Sequence, residues 1–183
     1  YDRLTNFEFS SYDLKAYQGN YKYLKENYSV PTKNLNITDL PENWIPVYEY
    51  NKEYYLYAPS DWGSAGRRII NDSAFVYWYM DGPLPVALSD FKKKDNNTYV
   101  LELTALFNEK ISKQTLNIYQ IDPERNLYLF EFSDKSGNQS HQLYVPAESA
   151  KHFDMIVNYC KNRKQREFRF DEIDFEKILE ENR

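Results

Sequence analysis

The sequence predicts a mainly β protein of the α+β kind: an antiparallel meander forming a curved sheet or barrel, with a C-terminal helix packed on it. Three observations carry this. Between residues 44 and 145, short runs rich in Tyr, Phe, Val and Ile alternate with turn signals. The intervals are too short for the helical crossovers that parallel strands need. Two runs are apolar on both faces, so an antiparallel sheet here must be covered on both sides.

In chain order, residues 1–11 read as an irregular polar lead-in. Leu14, Tyr17, Tyr21, Leu24 and Tyr28 then recur at spacings of three and four, one face of a helix over 12–28. Gly19 weakens that helix by about 1 kcal/mol against alanine, and a strand starting there competes with it. Residues 29–43, punctuated by Pro31 and Pro41, form a connector. The chain therefore divides into an N-terminal extension, 1–43, holding the helix and connector, and a single β-barrel-like domain with C-terminal helices, 44–183.

Within that domain, Trp44–Tyr50 and Glu53–Ala58 flank Asn51-Lys52 as a tight hairpin. Strands follow at Arg67–Asn71, Ala74–Met80, Pro85–Lys92, Thr98–Ala105, Thr115–Ile121, Leu127–Ser133 and His141–Val145, divided by turns such as Asp81-Gly82-Pro83 and Asp95-Asn96-Asn97. Phe153, Ile156, Val157 and Cys160 stand at i, i+3, i+4 and i+7, which predicts a helix over 147–162 packed on the sheet. Asp171 caps a last helix running to about 181, with Phe175, Ile178 and Leu179 on its buried face.

Composition excludes several functions. The chain has 183 residues, 23 Lys+Arg and 28 Asp+Glu, a net charge of −5. That acidic balance argues against a nucleic-acid coat. No run approaches the roughly 18 apolar residues of a membrane-spanning helix. One cysteine, Cys160, leaves no intrachain disulfide and no Cys-rich zinc site. The two histidines, His141 and His152, have no flanking ligand set, so no metal and no cofactor are expected. Aromatic residues reach 17 %, with 18 Tyr, 11 Phe and 3 Trp, although mean hydropathy is only −0.81. Much of the core is therefore built from rings. Tyr suits half-wet places such as cavity walls and interfaces, and it also simply replaces aliphatics on strands.

Strand patterning leads to a cavity. Phe75, Tyr77 and Tyr79 point one way from their strand while Val76, Trp78 and Met80 point the other; Tyr128, Phe130 and Phe132 oppose Leu127 and Leu129. A closed sheet with a cover outside meets this demand, and its interior is either filled or left as a ligand cavity. Eight or nine meandering strands with a late helix resemble the lipocalin-like barrels, the calycins, and Gly19-Asn20-Tyr21 is similar to their Gly-x-Trp signature with Tyr in place of Trp. The resemblance, over roughly 44–162, implies binding of a small, largely apolar ligand inside the barrel and no catalysis.

The candidate ligand-binding residues are Phe75, Tyr77, Tyr79, Tyr128 and Phe130 on the strands, with Trp62, Arg67 and Arg68 from the glycine-containing loop 60–68, whose arginines suit a carboxylate, phosphate or sulfate. The same loop also reads as an ordinary surface loop anchored by Trp62. Glu102 and Glu131 offer a carboxylate pair for glycoside hydrolysis, yet both fit solvent-facing strand positions. The basic run Lys161, Arg163, Lys164, Arg166 and Arg169 reads as a helix C-terminus balanced by the acidic segment after it, or as a surface for anionic lipid or polymer. The expectation is a non-enzymatic, monomeric, exported bacterial protein, periplasmic or at the cell surface, with a lipid anchor ahead of this sequence as one option. It would bind a small amphipathic molecule; the alternative is a surface module recognising a glycan or a protein through exposed Tyr and Trp.

Overall fold

The computed structural model describes residues 1–28, 30, 33–60, 66–107, 110–158, 162 and 166–182. Two helices open the chain, α1 (Asp2–Thr5) and α2 (Ser11–Tyr28). Nine strands follow: β1 (Asn43–Tyr50), β2 (Glu53–Ala58), β3 (Arg68–Ile70), β4 (Ala74–Tyr79), β5 (Gly82–Lys93), β6 (Thr98–Phe107), β7 (Lys110–Asp122), β8 (Leu127–Asp134) and β9 (Gln139–Pro146). A 3₁₀ turn (Ala147–His152), strand β10 (Asp154–Val157) and helix α3 (Phe175–Asn182) complete it.

The meander closes on itself. Strands β3 to β9 pair in sequence, all antiparallel, and β9 pairs with β1, whose other edge meets β3. The result is a closed eight-stranded barrel. Bulges at Leu88/Asp90 and Gln120/Asp122 bend the longer strands, a standard aid to closure. Strands β2 and β10 extend the sheet outside the ring. Asn51 and Lys52 both have positive φ, 51° and 65°, as a two-residue type I′ hairpin requires. Beyond Val47, β1 pairs with β2 instead of β3. Pro46 falls between those two stretches, so its missing N–H forfeits no ladder bond on that edge.

Alternation sends one set of side chains into the barrel and the other onto its outside. Trp44, Phe75, Leu88, Leu101, Leu103, Leu116, Ile118, Phe130 and Tyr144 form the interior cluster. Leu35, Ile37 and Leu40 join it from the segment before β1, which lies across one end of the barrel. The β3–β4 turn holds that segment through Leu35 N–H to the Asp72 carbonyl, 2.8 Å, and Ile37 N–H to the Asp72 carboxylate, 2.7 Å. This end is closed.

The doubly apolar strands are covered on their outer faces, as their pattern demands. Ile69, Val76 and Trp78 lie under Phe7, Phe9, Tyr17 and Tyr21 of the N-terminal segment. Helix α2 runs close over the β4–β5 turn, where Gly82 has φ +109° and a Cβ would meet Asp13 and Ala16 at 3.5 and 3.6 Å. Ile45, Val47, Leu127, Leu129, Leu143 and Val145 lie under Phe153, Ile173, Phe175, Ile178 and Leu179.

The helix expected over 147–162 is absent as far as residue 158. A 3₁₀ turn stands there instead, and then β10, which runs parallel to β2 from Asp154↔Tyr55 to Val157↔Ala58. The i, i+3, i+4 spacing lost to two competing demands. The outer edge of β2 needs a strand partner, and Ile156-Val157 are β-branched. Val157, placed on the buried stripe by a helical reading, is 62 % exposed. Cys160 and Lys161, Arg163 and Lys164 of the basic run lie outside the described residues; Arg166 and Arg169 are described and exposed. The C-terminal helix is α3, slightly later than expected. The lead-in over 1–11 also holds the short helix α1.

Glu102 and Glu131 both lie on the outer face, away from the lumen. Glu131 is not solvent-facing: it is 4 % exposed and accepts hydrogen bonds from Asn117 Nδ2 and the Tyr119 hydroxyl, each 2.9 Å. His141 Nε2 is 3.6 Å away, and its ring stacks on Phe175 at the start of α3. Replacing a shared, buried acceptor strands its donors. Glu131→Ala is therefore expected to lower stability by about 1–3 kcal/mol in a urea titration. A change below about 0.5 kcal/mol, the level of a plain surface substitution, would count against this account.

Candidate functional site

The end of the barrel opposite Trp44 is not filled. A cavity of about 770 Å³ opens there, within the roughly 300–1,000 Å³ range of small-molecule sites. Its walls come from the strand ends that meet at this rim: Pro46 and Tyr48, Arg68, Tyr77 and Tyr79, Leu84 and Val86, Ala105, Ser112 and Gln114, Phe132 and Asp134, and Ser140, Gln142 and Tyr144. Asn20 and Tyr23 of α2 stand at its edge.

The two sides of the cavity differ. On the β4–β5 side lie Tyr77, Tyr79, Leu84 and Val86; on the β7–β9 side lie Ser112, Gln114, Asp134, Ser140 and Gln142, together with the rings of Phe132 and Tyr144. Tyr77 and Tyr79 stack as an offset pair, with centroids 5.6 Å apart and planes 5° from parallel. Phe132 tilts onto Tyr77 at 5.9 Å, and the Tyr77 hydroxyl donates to Gln114 Oε1 at 3.4 Å. Gln142 Nε2 donates to the Val47 carbonyl at 2.8 Å, leaving its amide oxygen as an acceptor. The rim is partly apolar, with Tyr79 and Leu84 exposed.

Burial raises the phenol pKa values of Tyr48, Tyr77 and Tyr144, Tyr144 to about 12, and the nearby Arg68 charge offsets only part of the rise. These hydroxyls are therefore neutral donors at physiological pH.

Of the residues singled out on sequence, Arg68, Tyr77 and Tyr79 come together on the cavity wall. Phe75, Tyr128 and Phe130 face the lumen too, but in its filled half. Phe75 and Phe130 are fully buried, and Phe75 packs beneath Tyr77 and Phe132, at 4.9 and 5.7 Å. Arg67 points the other way. Its guanidinium lies between Trp78, at 4.1 Å, and Phe7, at 4.7 Å, and donates to the backbone carbonyls of Leu4 and Asn6. Arg67 ties the N-terminal segment to the barrel. Trp62 lies outside the described residues. Gly19-Asn20-Tyr21 sits on α2, not on a barrel strand.

Phe132, Gln114 and Gln142 were not among the sequence candidates. Phe132 shares the parity of Tyr128 and Phe130, so alternation alone could have added it. The glutamines become lumenal only once the ring is closed.

Among the described residues, no three His, Cys, Asp or Glu side chains gather as a metal set, and no helix is long and apolar enough to cross a membrane. No family model, no curated protein and no solved structure matches this chain.

Proposed function

We propose that this protein is a non-enzymatic binder of a small amphipathic molecule, held in the open half of a lipocalin-like barrel. The observation that carries the reading is the mixed lining of the cavity: an aromatic and aliphatic wall faces one where Ser, Gln and Asp stand beside Phe132 and Tyr144 in the same lumen. Few convergent polar groups on an apolar surface are what a small-molecule site requires. Residues 1–43 serve as an outer cover and plug, and 44–183 as the binding domain. A monomer, exported in a bacterium to the periplasm or cell surface, belongs to the same proposal and rests on composition.

Titration with the neutral fluorescent probe N-phenylnaphthylamine tests it. Tyr77→Ala and Phe132→Ala are expected to weaken binding about tenfold, the loss of roughly 1.4 kcal/mol of ring contact. Tyr12→Ala, at a 69 % exposed position on α2, leaves affinity unchanged. Affinity unchanged in both cavity variants would remove the site.

One observation favours a second reading. The Tyr79 ring, stacked on Tyr77 and 48 % exposed, is a surface of the kind on which a sugar ring stacks. Displacement of the probe by free oligosaccharides, and not by fatty acids or alcohols, would move the proposal to a glycan.

A further inference from the structure

We infer that the ligand is a singly charged carboxylic acid, its carboxylate set against Arg68 and its apolar body against Tyr77, Tyr79 and Phe132. This rests on the cavity being the binding site proposed above.

Arg68 projects from β3 into the lumen. Its guanidinium lies 4.8 Å from the Tyr77 ring centre and 5.7 Å from that of Tyr144. Nη1 donates to the carbonyl of Arg67 at 2.8 Å. Nε is buried and has no acceptor. Among the described residues, no carboxylate comes within 4.0 Å of the group. A cation half-buried among rings, with an orphaned donor and no countercharge, is an arrangement native interiors avoid. The aromatic faces compensate only in part, because a cation–π contact contributes about 0.5–2 kcal/mol. An anion entering the cavity supplies the missing charge.

The charge count selects the anion. Arg68 is the sole Lys or Arg among the described residues that line the cavity, and Asp134 lines it too. A phosphate monoester dianion would meet one cation and one carboxylate. A single carboxylate is matched by Arg68, and Asp134, three strands away round the ring and held by Ser136 N–H and Asn138 in the β8–β9 turn, adds negative charge to the lining that disfavours a second one on the ligand.

The experiment compares dansyl-undecanoic acid with its methyl ester, which differ by the charge and one methyl group. Wild-type protein is expected to bind the acid at least about tenfold more tightly near neutral pH. Arg68→Gln should remove that preference, bringing acid and ester within about twofold, while Arg68→Lys, which keeps the charge, retains part of it. Equal binding of acid and ester by the wild type overturns the inference and leaves the cavity reading standing. That comparison needs no variant to fold. Binding of N-phenylnaphthylamine without either dansyl probe also overturns it. Failure of all three probes to bind overturns the cavity reading, and the inference falls with it.

Discussion

Trp44→Ala is expected to lower stability by about 3–5 kcal/mol, the cost of emptying a large aromatic site in a core. The indole is fully buried at the closed end of the barrel. It makes edge contacts with Tyr128 at 4.9 Å and Phe130 at 5.0 Å, and its Nε1–H donates to the Pro41 carbonyl at 2.8 Å. That hydrogen bond holds the chain where it turns into β1, so the ring both fills the lumen and fixes the plug over it. Domains of this kind are stable by only about 5–15 kcal/mol, so the loss is a large part of the total. With a urea slope of about 1–3 kcal/mol per molar, the midpoint should drop by roughly 2 M. Tyr79→Ala is the matching control at the open end. Its ring is 48 % exposed, and truncation there should stay within about 0.5–1 kcal/mol. Similar losses at both positions would mean that the barrel is not packed at one end and open at the other.

That asymmetry is where sequence reading and structure part. Period-two alternation located the strands from 44 to 145, and the doubly apolar runs 74–80 and 127–132 required a cover on each face. Both are local patterns, and both are present. Identifying the cover is not a local problem. The segment 147–157 has helical spacing, yet it supplies a 3₁₀ turn and an edge strand, because β2 offered it an unpaired edge. The N-terminal helix, set apart as an extension, lies on β5 and the β4–β5 turn. The two arginines show the same limit on a smaller scale. Arg67 and Arg68 look equivalent in a loop-to-strand junction, but one step of parity sends Arg67 outward between Phe7 and Trp78 and Arg68 into the lumen. Gln114 and Gln142 carry no sequence mark at all. They face the ligand space because β9 pairs with β1 and closes the ring, and that contact spans about half the chain.

The abundance of buried phenols has a consequence that the cavity shares with the whole fold: the protein should unfold in alkali. Burial raises the pKa of Tyr48, Tyr77, Tyr128 and Tyr144, with Tyr128 and Tyr144 pushed up to about 12. A phenol ionises near 10 in an unfolded chain. Below that pH both states hold the proton, and the stability linked to these groups is fully present. Above it, the unfolded chain releases protons that the folded one retains, so stability falls as pH rises, by about 1.4 kcal/mol per pH unit for each such group. Arg67 acts in the opposite sense. Burial lowers its pKa to about 10, so loss of its proton would favour the folded state above that pH. It is one group against four, and a guanidinium scarcely releases a proton at all. Guanidinium unfolding followed by circular dichroism should therefore show stability flat from about pH 7 to 9, then falling by several kcal/mol toward pH 12. The final rise in tyrosinate absorbance should coincide with loss of structure, because the buried rings ionise only as they are exposed. Smooth ionisation of all 18 tyrosines with the fold intact would contradict this, and would mean that the phenols lining the lumen are open to water.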